Sequence, residues 1–412
     1  MRAVIEGYDW GPGVRGVILD LGQAVKPEGI TAACFAPVEE TRETVDYTNI
    51  TGPHRVEKNL RPVTDAFLCA EDGRRVGGPS RYLCLAMDCS PTTGAPFCYD
   101  FVGGHNHWCC PYELKAALNT GAALETVSGE KLTALPEQGP IDHAQAVVLQ
   151  MEPFANDSFT GTDGRTLQYA YYAPEGEKLP LFIWLHGAGE GGNDPAITLL
   201  GNKVTPLAEE PFQKALGGAA YVLCPQTETF WLQYKEDGSW QDNPGTASIF
   251  THTLKEFLDA FVAAHPAIDR DRILVGGCSN GGYMTLNMVL EYPDFFAAAV
   301  PICEAYRDSG ISDAQLERVK QVPLWFIYAE NDTIVPPDAF EVPTLARLHR
   351  MGADIHTSIF PDVHDTSGKY NGPDGKPWQY LGHWSWLYFF NNECTDDATG
   401  ENLWDWLGKQ HR

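Results

Sequence analysis

Ile273-Leu274-Val275-Gly276-Gly277-Cys278-Ser279-Asn280-Gly281-Gly282 is the stretch on which the reading of this chain turns. A short apolar run enters Gly-x-Ser-x-Gly and continues into Tyr283-Met284-Thr285-Leu286, where a helix is expected from about Asn280 to Glu291. A strand that turns sharply into a helix lifts the serine hydroxyl above the end of a sheet. Glycines two before and two after Ser279 remove side chains that would strike the neighbouring strand and helix. The helix start beneath the serine also favours negative charge developing beside it. In a chain with 40 glycines the pentapeptide alone is a weak signal. Its setting makes it a strong one.

A serine hydroxyl attacks well only when a base takes its proton and a carboxylate orients that base. Downstream, the apolar run Leu324-Trp325-Phe326-Ile327-Tyr328 ends in Ala329-Glu330-Asn331-Asp332. Asp332 falls just past the strand end, where an orienting acid belongs; its structural alternative is a cap for the following helix. Glu330 is the competing carboxylate. For the base, His364 and His383 both follow the last expected strand, and local spacing does not separate them. Upstream, Leu181–Leu185 runs into His186-Gly187-Ala188-Gly189-Glu190, whose small residues leave backbone N–H groups open. The N–H of Ala188 and that of Asn280 are the candidate oxyanion donors. His186 precedes the nucleophile and reads as structural.

A chain of 412 residues exceeds the roughly 250 to 300 that one core usually serves, so two domains are expected. Residues 1–150 read as a small all-β sandwich, with strands at Val14–Leu21, Ile30–Pro37, Val63–Cys69 and Arg81–Asp88 and a helical turn over 113–121. Residues 151–412 read as α/β. A hairpin or strand pair (Thr166–Ala173, Leu179–Leu185) leads to strands at Ala219–Cys224, Ile273–Val275, Ala297–Pro301, Leu324–Tyr328 and Ile355–Phe360. Helices are expected over 246–264 and Pro337–Met351. Apolar strands alternating with amphipathic helices imply a mostly parallel sheet covered on both faces.

The formal net charge of −26 argues against binding nucleic acid or anionic membranes. No run approaches the roughly 18 to 20 apolar residues of a membrane span. The N-terminus lacks the pattern of a signal peptide, so a cytoplasmic location is expected. The 11 cysteines include no Cys-x-x-Cys pair and read as reduced, mostly buried thiols. A zinc set of Cys98, His105, His107 and Cys109 matches no metal spacing, and neither metal nor organic cofactor is expected. Tyr99, Phe101, His105, His107 and Trp108 read as packing residues before a sugar-binding surface. Trp231, Trp378, Tyr380, Trp384 and Trp386 are candidates for lining a pocket, Trp231 and Trp384 foremost. Association into a homo-oligomer is left open.

With these segments aligned, residues 160–395 resemble the α/β-hydrolase superfamily. Within it they look like the branch holding polyhydroxybutyrate depolymerases, feruloyl esterases and prolyl-oligopeptidase catalytic domains. His186-Gly187-Ala188-Gly189-Glu190, Gly277-Cys278-Ser279-Asn280-Gly281-Gly282, the Asp332 loop and His383-Trp384-Ser385-Trp386 carry the resemblance. Esterases of this branch commonly place the catalytic histidine in His-x-Ser-Trp, which implies His383 as base, with Ser279 and Asp332 completing the triad. Some relatives carry an immunoglobulin-like domain ahead of the hydrolase, in keeping with the β reading of 1–150. The resemblance implies a serine carboxylic-ester hydrolase for small or carbohydrate-linked esters, feruloyl or acetyl in type. The alternatives are a prolyl-oligopeptidase-like peptidase and a non-catalytic binding protein. About 150 residues cannot build the propeller of such a peptidase. Only Cys303–Val322 separate the strand after the nucleophile helix from the next, so the site is expected to lack a cap.

Overall fold

The computed structural model describes residues 1–45, 53–233 and 248–412. Its contacts divide into two compact units, Met1–Gln150 and Met151–Arg412. No helix among the described residues is long and apolar enough to cross a membrane.

The first unit is built almost wholly from strands. They are β1 (Arg2–Tyr8), β2 (Gly11–Val25), β3 (Val38–Thr44), β4 (Arg55–Arg61), β5 (Val63–Cys69), β6 (Ser80–Met87), β7 (Phe97–Asp100), β8 (His105–Trp108), β9 (Tyr112–Lys115), β10 (Leu124–Glu125) and β11 (Lys131–Leu132). One sheet runs β1-β2-β6-β5 and another β4-β3-β9, while β7-β8 and β10-β11 are two-stranded ribbons. Alternate residues of β1 (Ala3, Ile5) and of β9 (Tyr112, Leu114) are buried, the period-two pattern of a sheet with one covered face. A buried charged group joins elements of this unit. Arg61 donates to Glu40 at 3.0 Å and to the carbonyls of Val14 and Asp88, and Tyr112 donates to the same Glu40 at 2.6 Å.

Two local expectations fail here. Residues 30–37 form a 3-10 turn (Ala32–Cys34), with only an isolated bridge from Phe35 to Leu118. The small residues Ala32 and Ala33 supply no buried face, and Pro37 brings no N–H to a ladder. The expected helical turn over 113–121 begins instead as β9, paired with β3 from Arg42↔Tyr112 to Glu39↔Lys115. Tertiary pairing overrides the helix-favouring Ala116-Ala117-Leu118 that follows. The Tyr99–Trp108 aromatics are half-buried on the β7-β8 ribbon rather than in a core.

The second unit is one eight-stranded sheet flanked by helices. Its strands are β12 (Ala155–Thr160), β13 (Thr166–Tyr172), β14 (Leu179–Leu185), β15 (Tyr221–Gln226), β16 (Ile268–Cys278), β17 (Ala298–Ile302), β18 (Leu324–Ala329) and β19 (Ile355–Phe360). The helices are α1 (Pro195–Gly201), α2 (Glu210–Ala215), α3 (Thr251–Ala264), α4 (Asn280–Glu291), α5 (Asp313–Val319), α6 (Glu341–Met351), α7 (Trp386–Phe390) and α8 (Leu403–Leu407). The sheet order is β12-β13-β15-β14-β16-β17-β18-β19, parallel from β15 onward with an antiparallel edge at β12-β13. Every residue of β15, β17 and β18 is buried, as a sheet covered on both faces requires. This is the α/β-hydrolase arrangement implied above.

The strand pair expected from 166–173 and 179–185 is not formed, because β15 lies between β13 and β14. The hairpin is β12-β13, closed at Gly164 with φ 83°. The helix expected from 246 runs from Thr251, its first two residues lying outside the described ones; Leu254, Phe257, Leu258 and Phe261 form its buried stripe. The helix expected over Pro337–Met351 begins as a 3-10 turn and turns α-helical at Glu341. The Cys303–Val322 interval holds only a 3-10 turn and the short α5.

Candidate active site

Parallel pairing brings the carboxyl ends of β14, β16, β17 and β18 to one edge of the sheet, and the turn after β16 carries Ser279. Ser279 holds φ 55° and ψ −114°, a conformation costing a non-glycine residue about 1–3 kcal/mol. Its surroundings enforce that geometry. Its N–H donates to the Ile302 carbonyl at 2.8 Å, and its own carbonyl accepts from Tyr283 and Ala305 at 2.8 and 3.2 Å. The glycines explain how close the turn packs. A Cβ on Gly281 would stand 2.0 Å from the Leu185 carbonyl oxygen, and one on Gly277 would stand 2.5 Å from the same atom. Only hydrogen at these positions lets the serine turn sit against the end of β14.

That contact sets Ser279 beside the loop after β14. His186 is fully buried; its Nδ1–H donates to the Gly187 carbonyl at 2.6 Å, and its Nε2 accepts from the Thr227 N–H at 3.2 Å. Both ring nitrogens are engaged, so His186 braces the loop. Gln226 adds bonds to the carbonyls of Glu190 (2.8 Å) and Asp194 (3.1 Å). The N–H groups of Ala188 and Asn280 donate to no other group among the described residues. The Asn280 side chain accepts from the Trp231 N–H at 2.7 Å, which pins the first residue of α4.

Asp332 and His383 meet in the structure. His383 Nδ1 lies 2.7 Å from Asp332 Oδ2, and the two are 8% and 4% exposed. Asp332 Oδ1 accepts from the N–H groups of Ile334 and Val335 at 2.8 and 2.9 Å, which fixes the carboxylate and leaves Oδ2 for the imidazole. Gly382 permits the approach, since a Cβ there would stand 2.7 Å from the Asn331 carbonyl oxygen. The competitors point elsewhere: Glu330 is exposed, and His364 Nδ1 pairs with Asp362 at 2.5 Å.

Trp231 is not a pocket residue. It is fully buried, packed on His186 and Phe250 at ring-centroid distances of 5.1 and 6.1 Å. A tryptophan just after a central strand has the same composition signal whether it faces a pocket or a core. Trp384 is half-exposed, next in chain to His383, stacked on Tyr380 at 5.9 Å and near Trp386 at 6.1 Å.

Two buried carboxyls carry no local sequence signal, one just after β17 and one at the start of α6. Glu304 and Glu341 are fully buried, and burial pushes both well above the usual value of 4.5. Glu304 Oε2 accepts from the Tyr306 N–H at 2.5 Å. The neutral form is favoured, which spares the site two further negative charges.

Comparisons with known proteins relate both units to characterised sequences and folds. A family model described as the esterase Ig-like N-terminal domain matches residues 1–133, and one described as the prolyl oligopeptidase family matches 251–317. The poly(3-hydroxyalkanoate) depolymerase C of Paucimonas lemoignei is 30% identical over 151 residues, covering 34% of this chain and 32% of the relative. The acylamino-acid-releasing enzyme of Arabidopsis thaliana is 28% identical over 200 residues, covering 45% of this chain and 24% of its own. The chain thus spans a third or less of the curated relatives it matches. A solved thermostable esterase superposes with a TM-score of 0.74 at 20% identity, over 100% of this chain and 99% of that one, a likeness of fold.

Proposed function

We propose that this chain, an α/β-hydrolase with an immunoglobulin-like N-terminal domain of the esterase type, is a carboxylic-ester hydrolase working through an acyl-enzyme on Ser279. The observation that carries the proposal is the His383–Asp332 hydrogen bond at 2.7 Å, set at the same sheet edge as a serine on a strained turn. His383 Nε2 takes the proton of Ser279 Oγ as the oxygen attacks the ester carbonyl, then gives it to the departing alkoxide. Asp332 holds the Nδ1–H and offsets the imidazolium charge. The Ala188 and Asn280 N–H groups receive the carbonyl oxygen as it becomes negative. Water attacks the acyl-enzyme by the reverse proton path and frees Ser279. The chemistry asks for no metal or organic cofactor.

The substrate class favoured here is supported by the half-exposed Trp384, which stacks on the buried Tyr380 next to the base. An exposed indole beside the base suits an aryl acyl group or a sugar ring, which favours feruloyl- or acetyl-type esters of small alcohols or carbohydrate. The name of the depolymerase relative supports the ester reading, and that of the acylamino-acid-releasing enzyme keeps a peptidase as the alternative. A non-catalytic scaffold is disfavoured by the paired Asp332 and His383.

Purified protein should hydrolyse short p-nitrophenyl esters and accept a fluorophosphonate on Ser279, and Ser279→Ala should lose both. An active Ser279→Ala enzyme would sink the mechanism. A panel of acetyl, butyryl, feruloyl and peptide substrates decides the class, and faster peptide cleavage would refute the ester assignment.

A further inference from the structure

Four metal-affine side chains that the proposed hydrolysis does not use converge within the N-terminal unit. Glu43 lies near the end of β3, and His54 immediately precedes β4, the antiparallel partner of β3. Cys98 on β7 and His107 on β8 are directly opposed across their ribbon, so they leave it on one face. One ligand atom from each of the four lies within 4.8 Å of all the others. Glu43 bridges the imidazoles, with Oε1 at 2.5 Å from His54 Nδ1 and Oε2 at 3.1 Å from His107 Nε2. The two rings are near-parallel, with centroids 5.5 Å apart.

The chemistry of this set is selective. Two imidazoles, a thiol and one carboxylate suit zinc and its neighbours, whereas calcium and magnesium take oxygen ligands. Bonds of about 2.0–2.3 Å put the corners of a zinc tetrahedron about 3.3–3.8 Å apart, so the widest pairs need to close by about 1–1.5 Å and the Glu43–His54 pair to open by about 1 Å. The half-exposed His107 and the exposed His54 have the rotamer freedom to do so. The surroundings are prepared as well. The Cys110 N–H donates to Glu43 Oε2 at 2.8 Å. Cys98 is buried, and the Cys109 thiol donates to the backbone carbonyl of Glu43 at 3.4 Å, beside the ligand set. Four protein ligands leave no open position for a substrate, the mark of a structural site. A two-stranded ribbon such as β7-β8 is marginal without an added tether.

We propose that Glu43, His54, Cys98 and His107 bind a structural zinc ion that clamps the β7-β8 ribbon to the β3-β4 hairpin. The set is invisible to motif spacing because half of it comes from strands far upstream of Cys98; His105 and Cys109, weighed with Cys98 and His107 from the sequence, are not among the four. The proposal is independent of the ester-hydrolase reading.

The test uses the full-length chain, stripped with chelator under reducing conditions and titrated with Zn²⁺ and then Co²⁺. The expected result is about one ion per chain, a Tm that rises with free zinc, and a cobalt spectrum with tetrahedral d–d bands and thiolate charge transfer. Cys98→Ser should abolish the charge-transfer band. His107→Ala, at a half-exposed position, should weaken zinc binding by more than about 100-fold, while Cys109→Ser, in the outer shell, should cost about 10- to 100-fold and keep the band. Substoichiometric zinc in reduced protein would overturn the proposal. So would unchanged affinity in both Cys98→Ser and His107→Ala, or a Cys98–Cys109 disulfide in the protein as isolated.

Discussion

Gly382→Ala tests the candidate triad without touching any of its members. Gly382 precedes His383 and lies against Asn331, the neighbour of Asp332. A Cβ at 382 would stand 2.1 Å from Asn331 Oδ1 and 2.7 Å from the Asn331 carbonyl oxygen. The amide can rotate away, but the carbonyl belongs to the loop that fixes Asp332. Ordinary contact begins near 3.4 Å, so the 382–383 backbone must retreat by about 0.7 Å. Carried along the bond from His383 Nδ1, that shift stretches 2.7 Å to about 3.4 Å, beyond the usual 2.7–3.2 Å of N–H···O bonds. A misplacement of about 1 Å costs on the order of 10²-fold in rate, or about 2.7 kcal/mol of barrier. We therefore expect kcat/KM on a p-nitrophenyl ester to fall by about 100-fold, with fluorophosphonate labelling slowed in step and Tm close to that of the parent. Gly78→Ala is the control, since a Cβ there meets nothing within 4 Å. A folded Gly382→Ala protein with the parent's kcat/KM would refute the reasoning, because His383 would then not be the base whose position limits the reaction.

Asp332→Asn should lower kcat by about 10⁴-fold through loss of the correct tautomer, with His364→Ala near the parent rate; the reverse ranking in steady-state kinetics would move the base to His364. Trp231→Ala should destabilise the fold by about 3–5 kcal/mol in denaturant titration, the cost of emptying a buried aromatic site. Trp384→Ala should instead raise KM for feruloyl over acetyl esters while leaving Tm in place. Equal effects of the two changes on Tm would contradict their different burial. Glu341→Gln probes the buried carboxyls. A carboxyl raised above its unfolded value of 4.5 binds its proton more tightly in the folded chain, so it adds stability below about pH 4.5 that is lost as pH rises through its folded pKa. Parent stability should fall relative to Glu341→Gln as pH rises above about 4.5, and parallel pH–Tm curves would rule this out.

What the sequence discloses follows the range of the interactions involved. The Leu179–Leu185 and Ile355–Phe360 strands and the Asn280–Glu291 helix stand where local pattern puts them, since burial and turn signals are written within each segment. The serine turn is legible for the same reason: its glycines are adjacent, and the contacts they permit are with the next strand over. Pairing is another matter. Nothing in 166–185 says that a strand from residues 221–226 will come between β13 and β14, and nothing in Trp231 itself says that it faces His186.

The same distinction separates the two constellations in this chain. His383 and His364 are equal by spacing, and in the sequence only the His-x-Ser-Trp resemblance favours one of them. The physical discriminator is the close seat of Gly382 on Asn331, a contact between residues 51 apart whose consequence is the bond at 2.7 Å. The Glu43, His54, Cys98 and His107 cluster had no such resemblance to carry it, and its ligands are contributed by two separate strand pairs. A serine site announces itself because its geometry demands glycine at fixed offsets. A metal site assembled across sheets demands nothing local of its ligands beyond their side-chain chemistry, so it becomes visible only once the strands are in register.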